Sequence, residues 1–344
     1  MNNQIDVAAM KIGVVGAGSW GTALANLLAL KGFKIDLWVF EKQVKDQIES
    51  FRENREFLPG VFLPNRIFPS NDMKDVVMGK DLVVVVVPSH VMRETAHQIR
   101  EHILKETIVV SASKGIENKT HLTMSGVLRE ILYETDKDSF AALSGPSFAR
   151  EVVKKMPTVV AVAAKSLKVA GFVQHVFATP YFRVYTNEDM IGVEMGGAVK
   201  NVIAIAAGIV EGLGLGLNTR AALITRGLTE IRRLGLKLGA NPRTFAGIAG
   251  IGDLVLTCTG YVSRNHTVGK KIGEGMKLND ILSEMRMVAE GVKTAKSVYN
   301  LSKHLEVEMP ICHEVYHILY DGISPKEAVR RLMTRNLKQE LDEV

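Results

Sequence analysis

"KIGVVGAGSWGTALANLLALKG", residues 11–32, decides the fold. A short apolar run, Ile12 to Val15, ends in glycines, and the residues after them repeat apolar side chains at helical spacing until Gly32. Gly16, Gly18 and Gly21 stand in GxGxxG spacing. The first would allow a tight turn, the second the close approach of a pyrophosphate, and the third the packing of helix on strand. The first turn of the helix then offers free N–H groups to an anion. Such a triplet is weak evidence alone. Here it follows a strand pattern and opens a helix pattern, as a dinucleotide site requires. An acidic residue is expected about 20 residues further on, against the ribose hydroxyls. Glu41 in "LWVFEK" is the candidate, following Phe40. A carboxylate there favours NAD by repelling the 2′-phosphate of NADP, an effect that Lys42 and Lys45 would blunt. A plain surface charge is the alternative.

Working outward, "KIDLWVFE", "DLVVVVVPS", "TIVVSASKG", "FAALSGPS" and "PTVVAVAA" read as strands separated by helical patterns. Unbroken valine runs belong to strands buried on both faces, hence to a parallel sheet covered by helices. The rhythm predicts an α/β, doubly wound, Rossmann-type domain over residues 1–187. From residue 188 Ala, Leu, Gly and Met take over at helical spacing, predicting an all-helical domain over 188–344. A chain of 344 residues is long for one core, which agrees with two domains.

Composition narrows the function classes. With 47% hydrophobic and 23% charged residues, the chain is neither disordered nor fibrous. A net charge of +6 permits an anionic ligand. Lys and Arg are scattered, with no basic stripe interleaved with aromatics, so nucleic acid is not an expected partner. Cys258 and Cys312 are too few for a disulfide framework or a zinc cluster; no metal site is expected, and both read as small buried hydrophobes in a reducing compartment. The start, "MNNQIDVAAMK", is polar and lacks the apolar centre of a signal peptide. The most membrane-like stretch, residues 190–212, contains Glu194, Lys200 and Asn201, so no transmembrane segment is expected, and a cytoplasmic location is the expectation.

Three polar loops, "VPSH" (87–90), "SASKG" (111–115) and "SGPSFARE" (144–151), leave the carboxyl ends of strands, where open parallel sheets bind ligands. Lys114 is a cation suited to a phosphate or a carbonyl oxygen there. In the helical half Asp253 follows a glycine-rich turn, and "SRN" sets Arg264 between Ser263 and Asn265, a fork and an amide that suit a phosphate dianion, with a surface loop holding a structural salt bridge as the equal alternative. Lys200 sits in "MGGAVKNVIAIAAG" with Gly196, Gly197, Ile203 and Ala204 at the neighbouring helical positions, and Glu194 facing elsewhere. A lysine without a local partner among apolar residues is costly unless it snorkels or titrates near neutrality. The preferred reading is a desolvated proton-exchange group, with the two glycines giving a substrate clearance to approach it.

Taken together, "GAGSWGTALA", "NREFLPGVFLPNRI", "ASKGIE", "LSGPSFAREV", "EMGGAVKNVIAIAAGI", "GIGDLVLTCTGYVSRN" and "VAEGVKTAKSVYNL" resemble the bacterial-type NAD(P)-dependent glycerol-3-phosphate dehydrogenases, in order, from residue 10 to about 330. The resemblance implies reversible hydride transfer between NAD(P)H and dihydroxyacetone phosphate, supplying sn-glycerol 3-phosphate for phospholipid synthesis. It implies Lys200 as the general acid/base. Substrate contacts would come from Lys114, Gly145, Ser147, Lys200, Asp253, Ser263, Arg264 and Asn265. Cofactor contacts would come from Gly16, Gly18, Ser19, Trp20, Gly21, Phe40, Glu41, Lys114, Ala149, Arg264, Val288 and Glu290. Two departures stand out. Phe40 and Glu41 occupy places where relatives often carry a basic or imidazole side chain, which unsettles NADP preference. About nine residues precede Met10, where relatives usually start, making Met10 a candidate initiator. The Ala- and Gly-rich faces of the helical domain would suit a homodimer. The competing functions are a dehydrogenase of the same plan acting on a hydroxyacyl or sugar acid, and a non-catalytic NAD(H) sensor, which would need neither Lys200, Asp253 nor Arg264.

Overall fold

Ile12 and Val14 of the first strand face one apolar layer and Val15 the other, and Leu82/Val84 and Val83/Val85 of the fourth strand divide in the same way. Both faces of the sheet are therefore buried, which is why its strands read as unbroken apolar runs. The fold is that of a computed structural model, which describes residues 9–285, 288–337 and 339–340. The polar start at residues 1–8 lies outside the described residues.

In the first unit the order is β1 (Lys11–Val15), α1 (Ser19–Leu30), β2 (Lys34–Trp38), α2 (Lys42–Phe51), β3 (Ile67–Ser70), α3 (Met73–Val77), β4 (Leu82–Val85) and α4 (Met92–Arg100). There follow β5 (Ile108–Ser111), α5 (Met124–Ile131), β6 (Phe140–Ser144), α6 (Ala149–Val153), β7 (Thr158–Ala164), α7 (Leu167–Phe177) and β8 (Phe182–Asn187). The eight strands form one sheet in the order β3-β2-β1-β4-β5-β6-β7-β8. All neighbours are parallel except β6 and β7, which pair antiparallel with Ala141 opposite Ala164. The sheet is thus mostly parallel, as the valine runs led one to expect, and the single reversal leaves no mark in them because burial on both faces gives the same pattern whichever way a strand points. Strand β2 ends at Trp38, short of the full stretch "KIDLWVFE" read as a strand, and Phe40 is exposed beyond it. Strands β3 and β8, not picked out from sequence, are the two edges, and Pro69 is tolerated in β3 because an edge strand need not donate every N–H.

The helical unit comprises α8 (Met190–Gly212), α9 (Leu217–Lys237), α10 (Asp253–Thr259), α11 (Arg264–Gly273), α12 (Leu278–Glu284), α13 (Glu290–His304), α14 (Pro310–Tyr320) and α15 (Pro325–Met333). Its core gathers Val199, Ile203 and Ile205 of α8 with Val268 of α11 and Ala295 and Val298 of α13. By contacts, the chain divides into Met1–Lys114 with Leu122–Glu194, and Gly115–His121 with Met195–Val344. The division thus falls inside α8, later than the 187/188 boundary expected from texture. The short stretch 115–121 joins the helical unit through Ile116, which lies in its core and whose carbonyl accepts from Ser297 Oγ at 2.8 Å.

Helix α8 is long and apolar enough to cross a membrane, yet its most apolar window is entirely buried within the protein. Glycines explain part of that burial. A Cβ on Gly208 would lie 2.0 Å from the His266 carbonyl and one on Gly212 2.2 Å from that of Lys270. In return, a Cβ on Gly269 would lie 2.0 Å from the Ile205 carbonyl and one on Gly273 2.6 Å from that of Ile209. Helices α8 and α11 therefore cross backbone to backbone through two Gly-x-x-x-Gly pairs. These four glycines are used inside the chain.

Candidate active site

In the first unit, the turn after β1 is built as its glycines require. Gly16 has φ +116°, and a Cβ there would sit 2.4 Å from the Val86 carbonyl. A Cβ on Gly21 would be 1.9 Å from the Gly16 carbonyl, so helix and strand touch here. Gly18 has open space where a Cβ would stand, and it caps the twelve-residue α1. A pyrophosphate fits this arrangement: open space above a glycine, at a helix N-terminus with no acidic residue in its first turn. Ser19 and Trp20 follow, half-buried. Phe40 is 76% exposed, and exposed Glu41 occupies the N-cap position of α2 without a side-chain capping bond.

Three residues singled out from the strand-end loops converge on one carbonyl. Lys114 Nζ donates to Gly145 O at 3.1 Å, and Ser147 Oγ donates to the same oxygen at 3.0 Å. Gly145 itself has φ +142°, open to glycine and little else. Ala149 opens α6 beside them, and Ser113 Oγ ties this loop to the preceding one by donating to Val87 O at 2.7 Å.

In the helical unit, Lys200 is buried and neither snorkels nor stands alone. Its ammonium forms an ion pair with Asp253 Oδ1 and donates to Thr257 Oγ1 at 2.6 Å. Thr257 sits one turn after Asp253 on α10 and gives its own proton to the Asp253 carbonyl at 2.6 Å, leaving a lone pair to accept from the lysine. Asp253 is fully buried at the end of a π-helical turn, Ile248–Gly252. A buried ammonium is stable here because a carboxylate and a hydroxyl replace the water it has lost. The clearance assigned to Gly196 is corrected: a Cβ there would meet the Ala249 carbonyl at 2.4 Å, so the glycine admits the π-helical turn and not a substrate. Glu194 does face elsewhere, accepting from Ser125 N at 2.8 Å and Ser125 Oγ at 2.5 Å, with burial pushing its carboxyl pKa up against those bonds.

Ser263 caps α11, its Oγ accepting from His266 N at 3.3 Å. Arg264 opens that helix; desolvation of its guanidinium lowers its pKa, and the charge of Glu290 opposes the shift. Asn265 is buried, and its Oδ1 accepts from Gly291 N at 2.9 Å. A Cβ on Gly291 would lie 2.6 Å from the Asn201 carbonyl, so "VAEG" approaches both α8 and α11 closely. Val288 is partly exposed just before it. Both cysteines are buried, and burial pushes the Cys258 thiol up to about 12, out of nucleophilic range. Thr257 was not singled out from sequence; its only signal was the four-residue spacing from Asp253 on a helix.

Strand order, glycine turn and open helix N-terminus define a Rossmann-type dinucleotide-binding protein with a helical C-terminal unit. Residues 11–170 match the family model of the NAD-dependent glycerol-3-phosphate dehydrogenase N-terminus, and residues 189–330 that of the C-terminus. The chain belongs to the NAD-dependent glycerol-3-phosphate dehydrogenase family. Glycerol-3-phosphate dehydrogenase [NAD(P)+] of Syntrophobacter fumaroxidans is 56% identical over 331 residues, spanning 96% of this chain and 97% of that protein. Its counterpart in Citrifermentans bemidjiense is 57% identical over 332 residues, spanning 96% and 99%. The crystal structure of glycerol-3-phosphate dehydrogenase from Coxiella burnetii superimposes with a TM-score of 0.91 at 38% identity, covering 95% of this chain and 99% of that one.

Proposed function

We infer that the chain is an oxidoreductase that interconverts dihydroxyacetone phosphate and sn-glycerol 3-phosphate with NAD(P)H as hydride donor. The observation that carries the chemistry is a buried lysine held between a carboxylate and a hydroxyl. Bound NAD(P)H supplies hydride to the ketone carbon. As negative charge develops on the ketone oxygen, the Lys200 ammonium donates its proton to that oxygen; in reverse, neutral Lys200 removes the alcohol proton. Asp253 and Thr257 fix the direction of Nζ. Lys114, beside Gly145 and Ser147, stabilises the developing oxyanion. Arg264, with Ser263 and Asn265 shaping the start of α11, holds the phosphate, whose binding energy orients the ketone.

The product would feed phospholipid synthesis in the cytoplasm, in keeping with family membership. A homodimer is the proposed assembly, supported by exposed apolar side chains of the helical unit such as Leu217, Tyr261 and Met333; light scattering reads it directly. Steady-state reduction of dihydroxyacetone phosphate with NADH and NADPH side by side tests the activity. No substrate-dependent oxidation of either cofactor would rule it out.

A further inference from the structure

The segment after α2, "NREFLPG" (54–60), is bound to the glycine turn by a buried hydrogen-bond network. Asn54 has no exposed surface. Its Nδ2 donates to Ala17 O at 2.8 Å and to Thr22 Oγ1 at 2.9 Å, while its Oδ1 accepts from Phe57 N at 3.0 Å. Thr22 Oγ1 passes its own proton to the same Ala17 carbonyl at 3.1 Å. A second tie runs the other way: Ser19 Oγ donates to Phe57 O at 2.5 Å. Arg52, at φ +54°, ends α2 and donates to the Ile67 carbonyl at 3.0 Å and to that of Pro64, fixing the return of this segment.

The Ala17 carbonyl thus receives two buried donors. Carbonyl and N–H point in opposite directions across a planar trans peptide. Drawing the Ala17 oxygen inward therefore turns the Gly18 N–H away from that buried network. No hydrogen bond joins the Gly18 N–H to another group among the described residues. It is a donor left for an anion.

We propose that Asn54 is a positioning residue for the cofactor pyrophosphate: it touches no cofactor atom, and it orients the Ala17–Gly18 peptide so that the Gly18 N–H meets the phosphate oxygens. This rests on the dinucleotide reading of the turn. Asn54→Asp keeps the acceptor for Phe57 N but loses both donors and sets a carboxylate against the Ala17 carbonyl. Asn54→Ala loses all three bonds without adding charge. Thr22→Val removes one of the two donors to Ala17 O and also the acceptor for the second Asn54 bond.

The full-length wild type and the three variants are titrated with NADH, ADP-ribose and adenosine, the last lacking phosphate. Folding is checked by circular dichroism, and the milder Thr22→Val serves if an Asn54 variant does not fold. Because hydrogen bonds to charged groups are the strong ones, Asn54→Ala should weaken NADH and ADP-ribose by about 10- to 100-fold and Asn54→Asp by more. Thr22→Val should weaken them by about 3- to 10-fold. Adenosine affinity should stay within about twofold, and kcat at saturating NADH within about threefold. ADP-ribose binding unchanged in a folded variant, or adenosine weakened as much as ADP-ribose, would overturn the role of Asn54. Failure of the wild type itself to bind ADP-ribose would instead overturn the dinucleotide reading.

Discussion

Lys200 and Asp253, 53 residues apart in sequence, form an ion pair inside the helical unit. Breaking a buried pair by removing one partner leaves an uncompensated charge, at a cost of about 3–5 kcal/mol. Asp253→Ala should therefore lower unfolding free energy by about that amount, and lower kcat at least 100-fold because Nζ is no longer directed. Thr257→Val, which leaves the charges paired, should cost only about 1 kcal/mol and reduce kcat by about 10-fold. Urea unfolding and steady-state kinetics read both effects; equal stability losses in the two variants would contradict the pairing.

Glycines that look alike in sequence should respond differently to alanine. At Gly269 a Cβ would lie 2.0 Å from the Ile205 carbonyl, and backbone cannot swing aside. Gly269→Ala should destabilise by about 1–3 kcal/mol or more as α8 and α11 are pushed apart. Gly18→Ala meets only open space, so its melting temperature should stay within about 2 °C of the wild type while NADH binding weakens at least 10-fold. Differential scanning fluorimetry with an NADH titration separates the two.

Glu230 of α9 is fully buried and accepts from Ile311 N at 2.7 Å and Cys312 N at 3.0 Å at the start of α14. Burial outweighs those bonds and raises its carboxyl to about 7. A folded-state pKa above the unfolded value of 4.5 means the native protein binds the proton more tightly. The stabilisation is full below pH 4.5 and is lost as pH rises through 7, a swing of about 3 kcal/mol. Glu230→Gln removes that titration. Relative to this variant, the wild type should be more stable at pH 5 than at pH 8; a difference independent of pH would contradict the assignment.

Glu41 is the proposed ribose-binding carboxylate, and cofactor preference tests that role. Lys45, one of the two lysines that could offset it, is engaged with Glu49 at 2.6 Å. Glu41→Gln should shift the NADPH/NADH ratio of kcat/KM upward by about 3- to 10-fold by removing repulsion of the 2′-phosphate. An unchanged ratio would detach Glu41 from the ribose.

The glycine turn, the buried strands and the helical second half were legible because each rests on local pattern: a run, a period, a spacing. Edge strand β3 was not, since four residues with a proline leave little pattern, and the reversal between β6 and β7 was hidden because buried strands look alike in either direction. At the candidate site, sequence could single out residues but not their partners. Lys200 seemed unpartnered because only positions one helical turn away can be inspected in a sequence; Asp253 and Thr257 arrive from another helix. Gly196 seemed to clear a path for substrate, whereas the close neighbour is the Ala249 backbone.

The most direct test of the account is dihydroxyacetone-phosphate-dependent oxidation of NADH and NADPH by the wild type and by Lys200→Ala, alongside NADH binding to both. Expected are turnover by the wild type, a loss of about 10²–10⁴ in kcat for the variant, and nearly unchanged NADH affinity. A variant that keeps more than about a tenth of the wild-type kcat would contradict the assignment of Lys200 as the proton donor.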